Sequence, residues 1–341
     1  MAEGEEGGWS LPAVVSDTVA AVPEGWRPKV TKFLAHLIGT KMPSLANEVA
    51  DHIDTTAGRS LIRHELAKAA AAKAIQSPEL VDRTLQRLCG DLLESQQNIE
   101  AIAAIAAEEI VADPTAPSDE DVSGDWRKKF TSYVGDISDP DMQRVWAKIL
   151  AGEFRQPGSF SFRTLRIVSE IGPDVAETFA EISKLRFADN AVFVDGEEWN
   201  SGPKFMQLKL LEDWGLIHET AGQRSRPSTN SDGKYFIFGK NRAAVIFAES
   251  GPEQLQIPIV GYTSAGIELL SLLPPHDENS VLAAIANFIK SNVPSARVGI
   301  IGDGFVDAQN GGVHPPFTFL WGDEAALIPP PHSGAERSTS R

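Results

Sequence analysis

The chain has 341 residues, 31 basic and 47 acidic, for a formal net charge of −16, with 42% apolar and 23% charged residues. That length allows about two domains, and the balance suits a protein that buries a core, which excludes a wholly disordered chain, a collagen-like repeat and a disulfide scaffold. The acidic surplus also argues against tracking of a phosphate backbone, which calls for clustered Lys and Arg.

Cys89 is the only cysteine, so no disulfide can form within the chain, and a reducing compartment is expected. The N-terminus, MAEGEEGGWS, is acidic where a secretory signal is basic, and no apolar core follows it. The apolar stretch Ile99–Ala112 is interrupted by Glu100, Glu108 and Glu109 and is too short to span a bilayer. The expectation is a cytoplasmic protein with no membrane partner.

In chain order, residues 1–112 read as a helical N-terminal region. Val30, Phe33, Leu34, Leu37 and Ile38 recur at helical spacing before Gly39, and Arg59–Ile75 is Ala-rich and helix-favouring. Pro78 and Glu79 mark the start of a long helix. On it Val81, Leu85, Leu88, Leu92, Ile99, Ile102 and Ala106 alternate by four and three, a coiled-coil-like seam with Ser95 as its weak position. Two packings fit: an intramolecular helical hairpin, or a homodimer through 81–106. Gln96, Gln97 and Asn98 read as a solvated face, and Cys89 as a small packing residue.

Residues 113–125, DPTAPSDEDVSGD, form an acidic linker and an expected domain boundary. A helical block begins at Trp126, with Phe130, Tyr133 and Val134 on one face. The segment Asp136–Asp141 superficially resembles a calcium loop but lacks the spacing, the central Gly and the closing Glu. Asp139 reads better as a helix N-cap followed by Pro140. Met142, Val145, Trp146, Ile149, Leu150 and Phe154 then make an apolar stripe.

Residues 126–291 are expected to hold this block and a smaller α+β part. A helix runs from Pro203 to about Trp214, followed by Leu216–His218, a polar loop at 221–233, and β-rich Lys234–Phe238 and Ala243–Phe247. Leu255–Val260 is expected as an edge strand because of Pro258. A β-hairpin is expected over 292–322, with Gly299–Gly304 in its loop, and a disordered tail over 323–341. The fold class is thus mainly α with a smaller α+β part: long N-terminal helices, a central helical block and a winged-helix-like module.

The run DWRKKF at 125–130, SDPDMQRVWAKILAGEFRQPGSFSFRTL at 138–165, LLEDWGLIHE at 210–219 and IPIVGYTSAGIELLSLL at 257–273 resemble an uncharacterised bacterial domain-of-unknown-function family, itself similar to the abortive-infection alpha family. The resemblance implies a bacterial or prophage origin and a place among phage-defence genes, and it supplies no catalytic residues. The order of elements over 162–238 also looks like a winged helix, with Leu216–His218 and Lys234–Phe238 as the two strands of its wing.

Such a module invites a DNA reading, in which Lys204, Gln207 and Lys209 of the helix face phosphates and bases, and Arg224 and Arg226 at the wing tip reach a groove. Glu212 and Asp213 oppose it on the same helix. Elsewhere, His64-Glu65 lacks the second His of a zinc-protease motif, since residue 68 is Lys, and no Gly-x-Ser-x-Gly elbow surrounds Ser159 or Ser161. No catalytic residue, metal site or cofactor is therefore expected. The leading reading is a non-enzymatic protein-interaction protein of phage defence, acting on a protein partner or on itself. The alternative is a winged-helix DNA-binding regulator.

Overall fold

A computed structural model describes residues 11–39, 78–187, 191–218, 224–225, 228–229, 233–252, 254–306 and 311–323. The expectations for residues 1–8, Arg59–Ile75, His64 and the C-terminal tail beyond Asp323 lie outside the described residues. The fold is mainly helical, with two antiparallel sheets. It divides into two compact units, Met1–Glu170 and Ile171–Arg341.

The first unit is helical: α1 (Ala13–Val19), α2 (Arg27–Ile38), α3 (Pro78–Ala112), α4 (Gly124–Val134), α5 (Pro140–Arg155) and α6 (Phe162–Glu170). The spacing of Val30, Phe33, Leu34, Leu37 and Ile38 buries one face of α2, and Gly39 ends it at φ 78°, a conformation that costs glycine little. On α3 the seam splits in two. Ile99, Ile102, Ala103, Ala106, Ala107 and Ile110 are buried, whereas Leu92 is 62% and Leu93 64% exposed. The side chains of Val81, Leu85 and Leu88 lie outside the described residues.

Two expectations on α3 are corrected. Cys89 is exposed and packs no core. Asn98 is buried, not solvated: its side-chain amide donates to the Gly135 carbonyl at 2.9 Å, and Gln143 Nε2 donates to its oxygen at 3.3 Å. A polar side chain at an apolar position thus satisfies the end of α4, which leaves carbonyls without helical partners.

Helix α5 forms as its sequence dictates. The Asp139 carboxylate accepts from the Asp141 and Met142 amides at 3.1 and 2.9 Å, with Pro140 at the first helical position. Met142, Trp146, Ile149, Leu150 and Phe154 are buried. Trp146 meets the edge of Phe130 at 5.4 Å, and Phe130 stacks on Trp126 at 5.0 Å between ring centroids. The turn after α5 is built around Glu153, which is buried and accepts from the amides of Gly158 and Phe160 at 2.8 and 3.0 Å. The Phe160 carbonyl in turn accepts from Trp126 Nε1 at 2.8 Å.

The acidic stretch 113–125 lies inside the first unit, and the division of the chain falls between 170 and 171 instead. Arg155 is the physical reason. Its guanidinium donates to the carbonyls of Ile110, Asp113 and Thr115 at 2.6–2.8 Å and pairs with the Asp113 carboxylate at 3.3 Å. Ser118 donates its amide to the Arg155 carbonyl at 2.7 Å, and Val122 is buried. Composition marked this stretch as loop; one arginine makes it part of the core's surface.

The second unit begins with α7 (Pro173–Ile182) and a single 3-10 turn, Ser183–Leu185. Strands β1 (Arg186–Phe187) and β2 (Ala191–Phe193), a second 3-10 turn at Glu197–Trp199, α8 (Pro203–Asp213), β3 (Ile217–His218), β4 (Arg224–Ser225) and β5 (Ser228–Thr229) follow. After them come β6 (Lys234–Phe238), β7 (Arg242–Ala248), β8 (Ile257–Tyr262), α9 (Ser264–Leu270), α10 (Glu278–Asn292), β9 (Ala296–Val306) and β10 (Gly311–Trp321). One sheet runs β1-β2-β8-β3, with β4 also on β8; the other runs β10-β9-β7-β6-β5. Helix α10 buries Val281, Leu282, Ile285 and Ile289 in a cluster with Tyr235, Ile246 and Ile301.

Three strand expectations are corrected. First, β3 pairs with β8, while Lys234–Phe238 pairs with β5 and β7 in the other sheet, so those two segments do not form a wing together. Second, β8 is central in its sheet despite Pro258. The Pro258 carbonyl accepts from the Val194 amide just past the end of β2, so the proline's missing N–H falls where that ladder stops. Third, Gly299, Gly302 and Gly304 lie within β9 and not in a turn. A Cβ on Gly299 would come within 2.6 Å of the Trp321 ring, and one on Gly302 within 2.6 Å of the His314 carbonyl. Gly299 and Gly302 thus admit the close approach of β10, while Gly304 lies against Arg242 and Ala243 of β7.

Candidate functional site

The residues singled out by sequence are only partly brought together. Lys204, Gln207 and Lys209 lie on α8. Arg224 begins β4, paired with Pro258, and its side chain, like the whole of Arg226, lies outside the described residues. Helix α8 buries Leu208 and Leu211 and presents Lys204, Met206 and Gln207 outward, Met206 being 63% exposed.

Both lysines of this helix are already matched with acids. Lys204 Nζ lies 2.9 Å from the Glu198 carboxylate and 4.7 Å above the Trp199 ring. Lys209 lies 2.5 Å from Glu212, one helical turn on. The hydrogen bond and charge of Lys204 hold the Glu198 carboxyl below its usual range, and the Glu212 hydrogen bond raises the Lys209 ammonium. Such exposed pairs are weak individually, and a phosphate could compete for either lysine. Any phosphate contact there is nonetheless made beside a carboxylate that repels the incoming charge.

A second site was not legible in the sequence. In the second unit, the end of α7, β1 and the α9–α10 connection enclose two adjoining hollows of about 480 and 380 Å³. They share Arg186, Leu273, Pro275 and His276. The larger is the more polar of the two, with Lys240, Asn241, Ser271 and Glu278 in its wall beside Ile267 and Leu270. The smaller is walled by Ala180, Leu185, Phe193, Val281 and Ala284. These volumes fall in the range of small-molecule sites, which pair apolar walls with a few convergent polar groups.

Arg186 sits at the junction and is only 7% exposed. Its guanidinium donates to the Ser183 carbonyl at 2.8 Å and the Pro274 carbonyl at 2.9 Å. The first lies at the C-terminal end of α7, where the helix dipole favours a cation. Beside it, the Tyr262 hydroxyl donates to Ser183 Oγ at 2.9 Å. Burial pushes the Tyr262 phenol up to about 12, against the opposing pull of that hydrogen bond and of Arg186. A guanidinium has five N–H donors; two are bound here, and among the described residues Arg186 makes no ion pair.

Across the described residues no group of three or more His, Cys, Asp or Glu side chains is placed to hold a metal ion, and no helix is long and apolar enough to cross a membrane. The Asp136–Asp141 segment is engaged in helix capping through Asp139.

No curated protein and no solved structure matches the chain. Residues 82–192 match the model of a protein family of unknown function, DUF2806, over a segment that includes most of α3, the stripe of α5 and the Glu153 turn.

Proposed function

We propose that the chain is a non-enzymatic interaction protein, and that a winged-helix-like module in its second unit meets a protein partner through α8. The observation that carries this reading is the pairing on α8: both lysines are matched by Glu198 and Glu212, and the most exposed large side chain between them is Met206. A flexible, polarizable apolar residue rimmed by balanced charge suits a protein surface better than a phosphate backbone. The order α7, β2, 3-10 turn, α8, β3, β8, with β8 between β2 and β3, supports a winged-helix-like topology in which β5, β6 and β7 are an excursion between the two wing strands.

The resemblance to an uncharacterised bacterial family, itself similar to the abortive-infection alpha family, supports a role in bacterial phage defence, and the acidic N-terminal sequence supports a cytoplasmic one. The exposed Leu92 and Leu93 support self-association through 81–106. Light scattering across a concentration series would show a dimer that Leu92→Glu dissociates; a monomer at every concentration would remove that part of the reading. The alternative, a DNA-binding regulator, rests on Lys204, Gln207, Lys209, Arg224 and Arg226. A photo-crosslinking amino acid at 206, compared with one at the exposed position 287 of α10, separates the two in bacterial cells. Protein adducts specific to 206 are expected, and nucleic-acid adducts there would favour the alternative.

A further inference from the structure

Arg186 is a buried cation whose two hydrogen bonds run to neutral carbonyls, and it stands where two hollows meet. Burying a charge is costly unless an opposite charge or several good hydrogen bonds compensate it. The carbonyl bonds fix the fork of the guanidinium without neutralising it. A guanidinium held rigidly in that way is pre-organised to receive a carboxylate through two parallel N–H bonds.

We propose that this junction binds a small organic acid, its carboxylate on Arg186 and its apolar body in the hollow walled by Leu185, Phe193, Val281 and Ala284. The charges around the two hollows set the head group. Lys184 is matched by Glu181 at 2.5 Å, and Lys240 shares the walls of the two hollows with Asp277 and Glu278, so Arg186 is the cation at the junction whose hydrogen bonds meet no carboxylate. Both acids have other work: Asp277 caps α10 through the amides of Asn279 and Ser280, and Glu278 accepts from the amides of Lys240 and Asn241. A monoanion matches the single charge of Arg186, and a dianion exceeds it. The apolar character of the smaller hollow, at about 380 Å³, calls for a short hydrocarbon body. This site is separate from α8, and its test does not depend on the function proposed for that face.

Isothermal titration calorimetry on the full chain tests the proposal with four probes: octanoate, octan-1-ol, octyl phosphate and inorganic phosphate. Octanoate is expected to bind at least about tenfold more tightly than octan-1-ol, the loss of one charge-assisted contact, and inorganic phosphate is expected to give no saturable heat. Ala284→Trp, on an exposed position of α10 at the rim, should weaken octanoate at least about tenfold with an unchanged melting curve. Arg186→Lys, which keeps the charge and loses the fork, should weaken it similarly. If Arg186→Lys fails to fold, the Ala284→Trp arm decides. Absence of octanoate binding, equal binding of the alcohol, or indifference to Ala284→Trp would overturn the site. Tighter binding of octyl phosphate than of octanoate would overturn the choice of head group.

Discussion

Each unit buries one charged side chain among the described residues, Glu153 in the first and Arg186 in the second, and they are treated differently. Glu153 is wrapped by its own chain, with the amides of Gly158 and Phe160 on its two carboxylate oxygens. Arg186 donates to two neutral carbonyls and lines an open hollow. A buried charge satisfied by the turn that follows it is an architectural device. A buried charge left facing a cavity is poised toward something from outside. Distance along the chain separates them too: Glu153 meets residues five and seven positions on, whereas Arg186 reaches Pro274 across 88.

The largest expected effect sharpens the first half of that contrast. Trp146 is fully buried against Phe130, on the helix that also carries Glu153. Trp146→Ala should cost about 3–5 kcal/mol, as removal of a buried aromatic does, read as a lower melting temperature and denaturant midpoint. An unchanged midpoint would remove the anchor from this account.

Next come the two buried charges themselves. Glu153→Ala strands the buried Phe160 amide, removes the acceptor of the Gly158 amide, and should cost about 3 kcal/mol. Arg186→Met removes an unneutralised charge along with its hydrogen bonds, and should cost less, about 1–2 kcal/mol. Chemical denaturation of both variants checks the order. Equal losses, or a greater loss at Arg186, would break the distinction between a closed and an open buried charge.

A third test uses pH. The Tyr262 phenol is raised to about 12 in the folded chain, above its unfolded value near 10. The folded state therefore holds its proton more tightly. The stability linked to this group is complete below about pH 10 and is lost as pH rises through about 12, with a span on the order of 2–3 kcal/mol. Tyr262→Phe should flatten that part of the pH profile. Tyr235, also raised by burial, leaves a residual slope in the same direction.

Much of the helical part could be read from the residues. The α5 stripe, the Asp139 cap, the Pro78 start and the Gly39 stop are local signals: periodicity, a side-chain acceptor, a fixed φ and a permitted positive φ. The sheets could be read only in part. Strands β1, β3, β4 and β5 have two residues each, too few to show alternation, and the partners of β8 come from residues 191–193, 217–218 and 224–225. Pro258 misled because the end of a neighbouring strand is not visible in a linear sequence. Lys204 and Lys209 were visible as cations, but Glu198 lies before the helix and its pairing needed the fold. Arg186 sits in the plain stretch SKLRF; nothing there signals burial, because its site depends on a connection some ninety positions away.

The central claim is that the α8 face meets protein and not duplex DNA. Fluorescence anisotropy of the full chain with a mixed-sequence duplex, at low and near-physiological salt, tests it most directly. With its lysines paired to Glu198 and Glu212, this face should give weak binding at low salt that vanishes as salt rises, since phosphate contacts supply most non-specific affinity and are lost with salt. Micromolar or tighter binding that persists near physiological salt and falls on Lys204→Glu with Lys209→Glu would contradict the claim.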